Sequence, residues 1–202
     1  MNIVVCYKIV PDEQDAVAQA DRTLSFERAA LKIGAYDLNA VEAGAQLASA
    51  SGASLVSLTA GGDPVEDSKL KKAILARGPH ENVAVKDASL PEAGSAVTAR
   101  VLAAAVKQLD DVSLVLCGEG SADRYAQQVG VQLGELLGLP TVNAVRSIEP
   151  DDGVAPVERT VGAVVERLPV PLPAAPSVVA AMNTPRTPSI KRTPRAGPPP
   201  SP

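Results

Sequence analysis

The 202-residue chain has no tryptophan, one phenylalanine and three tyrosines, 2% aromatic in all. Single-stranded nucleic acid is held by aromatic side chains on which successive bases stack, and Tyr7, Phe26, Tyr36 and Tyr125 are too few and too scattered to form such a platform. A basic surplus is missing too: 19 lysines and arginines stand against 23 aspartates and glutamates, a formal net charge of -4. Without a basic face there is no bulk attraction to phosphate backbones, so nucleic acid is not expected as a partner. The single histidine, His80, lies in the turn-like RGPHEN, and only two cysteines, Cys6 and Cys117, are present. A four-ligand zinc centre and a Ser-His-Asp triad both start from poor material. Each cysteine sits in an apolar run, IVVCYKIV or LVLCGEG, where a small buried residue is expected. No run approaches the roughly 20 apolar residues of a membrane span, and the Met-Asn-Ile start has no basic stretch ahead of an apolar one. The expectation is a cytoplasmic protein with no membrane insertion.

What is present is enough apolar material, 46% of the chain, to bury one sizeable core. Short β-rich runs alternate with segments of helical period, the pattern of an α/β fold: an open parallel sheet with helices on both faces. Strands are expected at Ile3–Ile9, Ser54–Thr59, Asn82–Val85, Ser113–Cys117 and Thr141–Val145. Helical stripes run through Leu38, Val41, Ala45 and Ala48, through Leu70, Ala73 and Ile74, across residues 95–109, and through Ala126, Val129, Leu133, Leu136 and Leu137. Asp37, Asp63 and Ser95 read as N-caps of the first three helices, Asp63 with Pro64 and Glu66 behind it, while Gly138 ends the fourth. The long connection from Asp12 to Ala35, with alternation in TLSFE and LKIG, suggests a small inserted hairpin. After Ser147, VAPVERT and VGAVVERL read as a β-hairpin over residues 154–170 appended to the core, followed by a strand at SVVAAM. Residues 1–183 are thus expected to form one α/β domain. Residues 184–202 form a tail with 7 of the 18 prolines, four basic residues and no acid, a composition expected to be disordered.

The stretch CGEGSADRYAQQVG, residues 117–130, leaves an apolar run, crosses two glycines and enters a helical pattern. In open parallel sheets ligands bind beyond the carboxyl ends of strands where strand order reverses. Pairing of the first and fourth strands would bring YKIVPDE and CGEGSAD face to face, with SLTAGG as a further wall. Gly118 and Gly120 permit positive φ and close backbone approach, and the helix beyond offers unpaired N–H groups, so a phosphate or pyrophosphate is the natural occupant. Ser121 adds a hydroxyl, Asp123 reads as the helix cap, and Gln127 and Gln128 fall on the first turns. The turn is neither GxxxxGK[ST] nor GxGxxG, and phosphoryl transfer is not expected.

Several ordered segments, MNIVVCYKIVPDEQD, LKIGAYDLNAVEAGAQLA, LTAGGDPVEDSKLKKAILARGPH, LVLCGEGSADRYAQQVGVQLGELLGLPTVNAV and MNTPRTPSIK, resemble the β subunit of electron-transfer flavoprotein. The resemblance is strongest to its Fix-type branch, linked with anaerobic carnitine metabolism and nitrogen fixation. It implies an adenine-nucleotide-hydrolase-like fold and a heterodimer whose α subunit holds the redox FAD. Electrons would pass between acyl-CoA dehydrogenase- or reductase-type flavoproteins and another redox partner, with the protein acting as a carrier and not as an enzyme. It further implies a second nucleotide in this subunit, AMP or a second FAD. By position its pocket would be formed by Tyr7, Lys8, Val10 and Pro11, by Asp37 and Asn39, by Thr59, Ala60 and Gly61, and by Cys117, Gly118, Gly120, Ser121, Asp123, Gln127 and Gln128. MNTPRTPSI resembles the loop with which the family recognises dehydrogenases, making Asn183, Arg186 and Ile190 partner-recognition candidates. A freestanding adenine-nucleotide-binding module of the stress-protein kind is the alternative, and an adenylating enzyme a distant third.

Overall fold

The computed structural model describes residues 1–149 and 153–188. Twelve strands occur in the order β1 (Asn2–Cys6), β2 (Ile9–Pro11), β3 (Val17–Ala18), β4 (Leu24–Ser25), β5 (Leu31–Ile33), β6 (Ser54–Gly61), β7 (Glu81–Lys86), β8 (Val112–Gly118), β9 (Thr141–Ile148), β10 (Val154–Val161), β11 (Val164–Pro171) and β12 (Ala175–Val178). The helices are α1 (Ala35–Ser51), α2 (Ser68–Leu75), α3 (Ser95–Val106) and α4 (Val129–Leu137). Eight strands make one sheet in the order β11-β10-β9-β12-β8-β1-β6-β7. From β9 to β7 every pairing is parallel, and β10 and β11 join antiparallel at the far edge. The expected α/β architecture, a mostly parallel open sheet with helices on both faces, is what forms.

Period-two alternation divides the core between those faces. Val5, Leu55 and Leu116 point to α1, where Val41 and Ala45 meet them, and Ile74 of α2 joins the same layer. Val4, Val115 and Cys117 point the other way, to Leu102 of α3 and Leu133 of α4. Gly134 explains how α4 lies so close to the sheet, since a β-carbon there would collide with the Thr141 methyl and meet the Ala175 β-carbon at 3.1 Å.

Several element ends differ from expectation, each for a local reason. The first strand does not run to Ile9: the chain leaves the sheet after Cys6, because the Lys8 N–H is taken by Asp37 Oδ2 at 2.8 Å and β2 pairs antiparallel with β5. The insertion therefore holds two small ladders, β2 with β5 and β3 with β4, where one hairpin was expected. Asp37 is not a cap but the third residue of α1, whose N-cap is Gly34. Asp63–Glu66 forms a separate 3-10 turn, and Asp67 caps α2, accepting from the N–H groups of Lys69 and Leu70 at 2.7 and 3.0 Å. Ser95 is the first residue of α3, not its cap, and that helix ends at Val106. Gly138 does end α4, in the left-handed conformation at φ 69°. The 154–170 hairpin forms as expected, β10 pairing antiparallel with β11, and it joins the edge of the core sheet through β9. The last strand comes earlier than SVVAAM: β12 threads between β8 and β9, and Ala180–Met182 forms a 3-10 turn.

Candidate functional site

β8 pairs with β1 in parallel, and the chain beyond each passes to opposite faces, to α1 from β1 and to α4 from β8. Their carboxyl ends consequently diverge, leaving a crevice of the kind in which open sheets bind ligands. A cavity of about 310 Å³ occupies it. Tyr7, Lys8 and Pro11 line one side, and Ala60 and Gly61 at the end of β6 line another. Asp37, Cys117 and Gly118 lie at the strand ends, and Gly120, Ser121, Asp123, Gln127 and Gln128 follow in the loop after β8. The predicted facing of the β1 and β8 loops is therefore realised in the fold.

The glycine turn works differently from the sequence expectation. Neither Gly118 nor Gly120 has positive φ; the left-handed residues of this loop are Tyr125 at φ 44° and Gln127 at φ 55°. The glycines serve close approach. A β-carbon on Gly118 would sit 2.7 Å from Asp37 Oδ1, and one on Gly120 would sit 2.7 Å from the Tyr125 ring. Tyr125 in turn packs on Tyr36, ring centroids 5.3 Å apart. The two left-handed residues end any helical path through YAQ, so α4 begins at Val129, three residues after the expected Ala126. Gln128 takes the N-cap position without a side-chain capping bond, and Asp123 lies too far upstream to cap. The first N–H groups of α4 thus have no side-chain partner from the cap, and Val129 and Gly130 line the cavity.

Asp123 has another role. Its carboxylate receives the Lys8 ammonium at 2.5 Å, joining the loop after β8 to the loop after β1. Burial raises the Asp123 carboxyl, but the Lys8 ammonium and the Ser121 hydroxyl outweigh it and hold the group below the ordinary range. On its other flank the same loop is tied to residues 91–95. Arg124 donates to the carbonyls of Ala93 and Pro91 at 3.3 and 3.4 Å, and the Ser95 hydroxyl donates to Gln128 Oε1 at 2.8 Å. This wall, with Leu90 and Pro91, was not anticipated, because nothing local in SLPEAG marks it as ligand-facing.

Asp37 is 8% exposed, between Gly34 and Gly118. Burial pushes its carboxyl up to about 7, and the N–H groups of Lys8 and Gly118 only partly offset this. Cys6 and Cys117, also on the cavity, are both buried, and the Cys6 thiol is pushed up by its hydrogen bond with Cys117 and by burial. Three expected pocket residues are not part of the lining. Val10 is fully buried on the β2–β5 ladder. Thr59 is fully buried, its hydroxyl without a hydrogen-bond partner among the described residues. Asn39 faces the chain end, donating to the carbonyl oxygens of Ala180 at 3.1 Å and Asn183 at 2.9 Å.

A family model of the electron transfer flavoprotein domain matches residues 23–199. The chain belongs to the electron transfer flavoprotein family. Proteins of this family are electron carriers rather than enzymes. Among the described residues no group of three or more His, Cys, Asp or Glu is placed to hold a metal ion. No helix of the described residues is long and apolar enough to cross a membrane.

In this electron transfer flavoprotein chain two residues of the segment expected to recognise partners, Asn183 and Arg186, bond to residues of α1. Asn183 exchanges hydrogen bonds with Asn39, its own amide donating to the Asn39 carbonyl at 3.0 Å. Arg186 forks onto Glu42, with Nε to Oε2 at 2.6 Å, Nη2 to Oε1 at 2.9 Å and its backbone N–H to Oε2 at 3.1 Å. Burial works against the Glu42 charge, but the hydrogen bonds from Arg186 and Gln46 outweigh it and hold the carboxyl below the ordinary range. Contacts with α1 therefore continue past residue 183, to Arg186, whose guanidinium is paired with Glu42 while its side chain stays 35% exposed. Ile190 lies outside the described residues.

Proposed function

We propose that this chain is the β subunit of a heterodimeric electron transfer flavoprotein of the Fix-type branch, bracing the FAD of an α subunit and binding an adenine nucleotide of its own. The observation that carries the reading is the cavity at the β1–β8 crevice in a chain of this family. Its walls are backbone-rich glycine segments, one lysine and the open start of a helix, all suited to a ligand with a phosphate end. A volume of about 310 Å³ falls at the low end of small-molecule sites and favours AMP over a second FAD. Lys8 and the first N–H groups of α4 would meet the phosphate; Gln127 and Gln128 would reach the ribose. The flavin of the α subunit supplies the redox chemistry when bound, and this chain contributes position and electrostatics. Its electron donors and acceptors would be acyl-CoA dehydrogenase- or reductase-type flavoproteins.

The test is co-expression with the neighbouring α-subunit gene product, purification of the complex, and identification of the released nucleotides by mass spectrometry with a flavin-to-protein ratio. One FAD and one AMP per heterodimer is the expected result. Two FAD would replace AMP with a flavin in this cavity. A chain that forms no yellow complex and binds ATP as a homodimer would overturn the reading in favour of a freestanding nucleotide module.

A further inference from the structure

The ends of β1 and β8 part at the crevice, and besides the Lys8–Asp123 ion pair the Asp37 side chain reaches both sides of the gap. The Asp37 carboxylate stands on the first turn of α1, accepts the Lys8 N–H at 2.8 Å through Oδ2, and lies against the Gly118 backbone through Oδ1. It sits beside two glycines: a β-carbon on Gly34 would be 2.7 Å from Oδ2, and one on Gly118 would be 2.7 Å from Oδ1. We infer that Asp37 is the positioning residue of this cavity, its carboxylate setting the separation of the Lys8 loop and the glycine turn at which a nucleotide is held. The inference rests on the nucleotide reading above for its ligand and on the Lys8 and Gly118 contacts for its mechanism.

The chemistry of a carboxylate makes the arrangement conditional on charge. Ionised, it is acceptor-only and serves an N–H on each oxygen. Protonated, it carries an O–H that faces an N–H donor on one side, and one of the two loops loses its tie. The groups facing Asp37 are few. From the β1 end come the Cys6 thiol and the Lys8 ammonium, and from the β8 end the Cys117 thiol and the Asp123 carboxylate. On α1 itself, Tyr36 turns its ring to Tyr125. Asp123 is held below its ordinary range and Cys6 above its own, whereas burial brings Asp37 up to about 7. Near neutral pH the tie would be made and broken at Asp37.

Two measurements on the full chain test this. Binding of adenosine, which carries no phosphate to titrate, is followed by calorimetry from about pH 5.5 to 8.5, a range centred on the raised carboxyl. Amide shifts of Lys8 and Gly118 are followed by NMR over the same range without ligand. The expected result is an adenosine Kd about tenfold weaker at the acid end, the effect of one lost charge-assisted hydrogen bond. Both amides should titrate with one midpoint matching that of binding. Asp37→Asn should give a flat profile at the weak limit and abolish both amide titrations. If that variant does not fold, Gly118→Ala, whose β-carbon would press on the Asp37 carboxylate and on the α1 backbone at Tyr36 and Asp37, should weaken adenosine at alkaline pH. Lys8 and Gly118 amides that do not titrate in the ligand-free chain overturn the inference. So does a wild-type Kd that is flat across the range. Titrating amides in a chain that binds adenosine at no pH would overturn the nucleotide reading and the binding half of the inference together, leaving only the tie itself.

Discussion

Arg186→Ala removes the guanidinium fork from a Glu42 whose side chain is only 7% exposed. Breaking a buried pair from one side costs about 3–5 kcal/mol, because the remaining charge has lost its partner in a poorly solvated place. Here Arg186 itself is 35% exposed, and the Gln46 amide still donates to Glu42 at 2.7 Å, so screening and the surviving bond bring the figure down to about 2 kcal/mol. For a chain of this size about 2 kcal/mol lowers Tm by roughly 4–8 °C. Thermal unfolding of the wild type, Arg186→Ala, Glu42→Gln and the double variant yields the coupling between the two residues, expected at about 1–2 kcal/mol. Glu42 is held below its ordinary range, so the stability it lends is present above that range and is lost as pH falls through the lowered value. Arg186→Ala should therefore lose stability at neutral pH and little under strong acid. A coupling within about 0.3 kcal/mol of zero, the scatter of independent sites, would refute the clamp.

Asp37 has the opposite sign. Its carboxyl is raised to about 7 in the folded chain, so stability is highest when the group is protonated and declines as pH rises from the ordinary aspartate range through about 7. The displacement corresponds to about 4 kcal/mol as an order of magnitude, and Asp37→Asn should remove that slope from urea unfolding measured across the range. Gly130→Ala places a β-carbon against the Ser177 hydroxyl and 3.4 Å from the Cys117 β-carbon, which should cost about 1–3 kcal/mol and be partly relieved by Ser177→Gly in the same melt. Lys8→Ala should weaken AMP by about tenfold or more by calorimetry while leaving adenosine within about twofold, since one charged hydrogen bond to phosphate is lost. Equal losses for both ligands would place the phosphate elsewhere.

What this sequence determined alone is what local pattern encodes. Period-two runs such as Ile3–Cys6 and Ser113–Cys117, set against helical stripes such as Leu38–Ala48, specify an open parallel sheet with helices on both faces, because the two periods bury different faces. The crevice was legible too: the sequence pointed to the loops YKIVPDE and CGEGSAD facing one another, and the cavity lies between them. Tertiary structure alone decided which polar residues serve the cavity and which serve the fold. Asn39 and Arg186 look as free as Asp37 in the sequence, yet Asn39 bonds Asn183 and Arg186 bonds Glu42, each across 144 residues. The same holds for Asp123, read as a cap from its place before a helix but drawn instead to Lys8, 115 residues earlier. Hydrogen bonds and ion pairs depend on separations of about 3 Å, which the topology sets and sequence spacing does not record. Burial, and with it the raised carboxyl of Asp37, follows from the same packing.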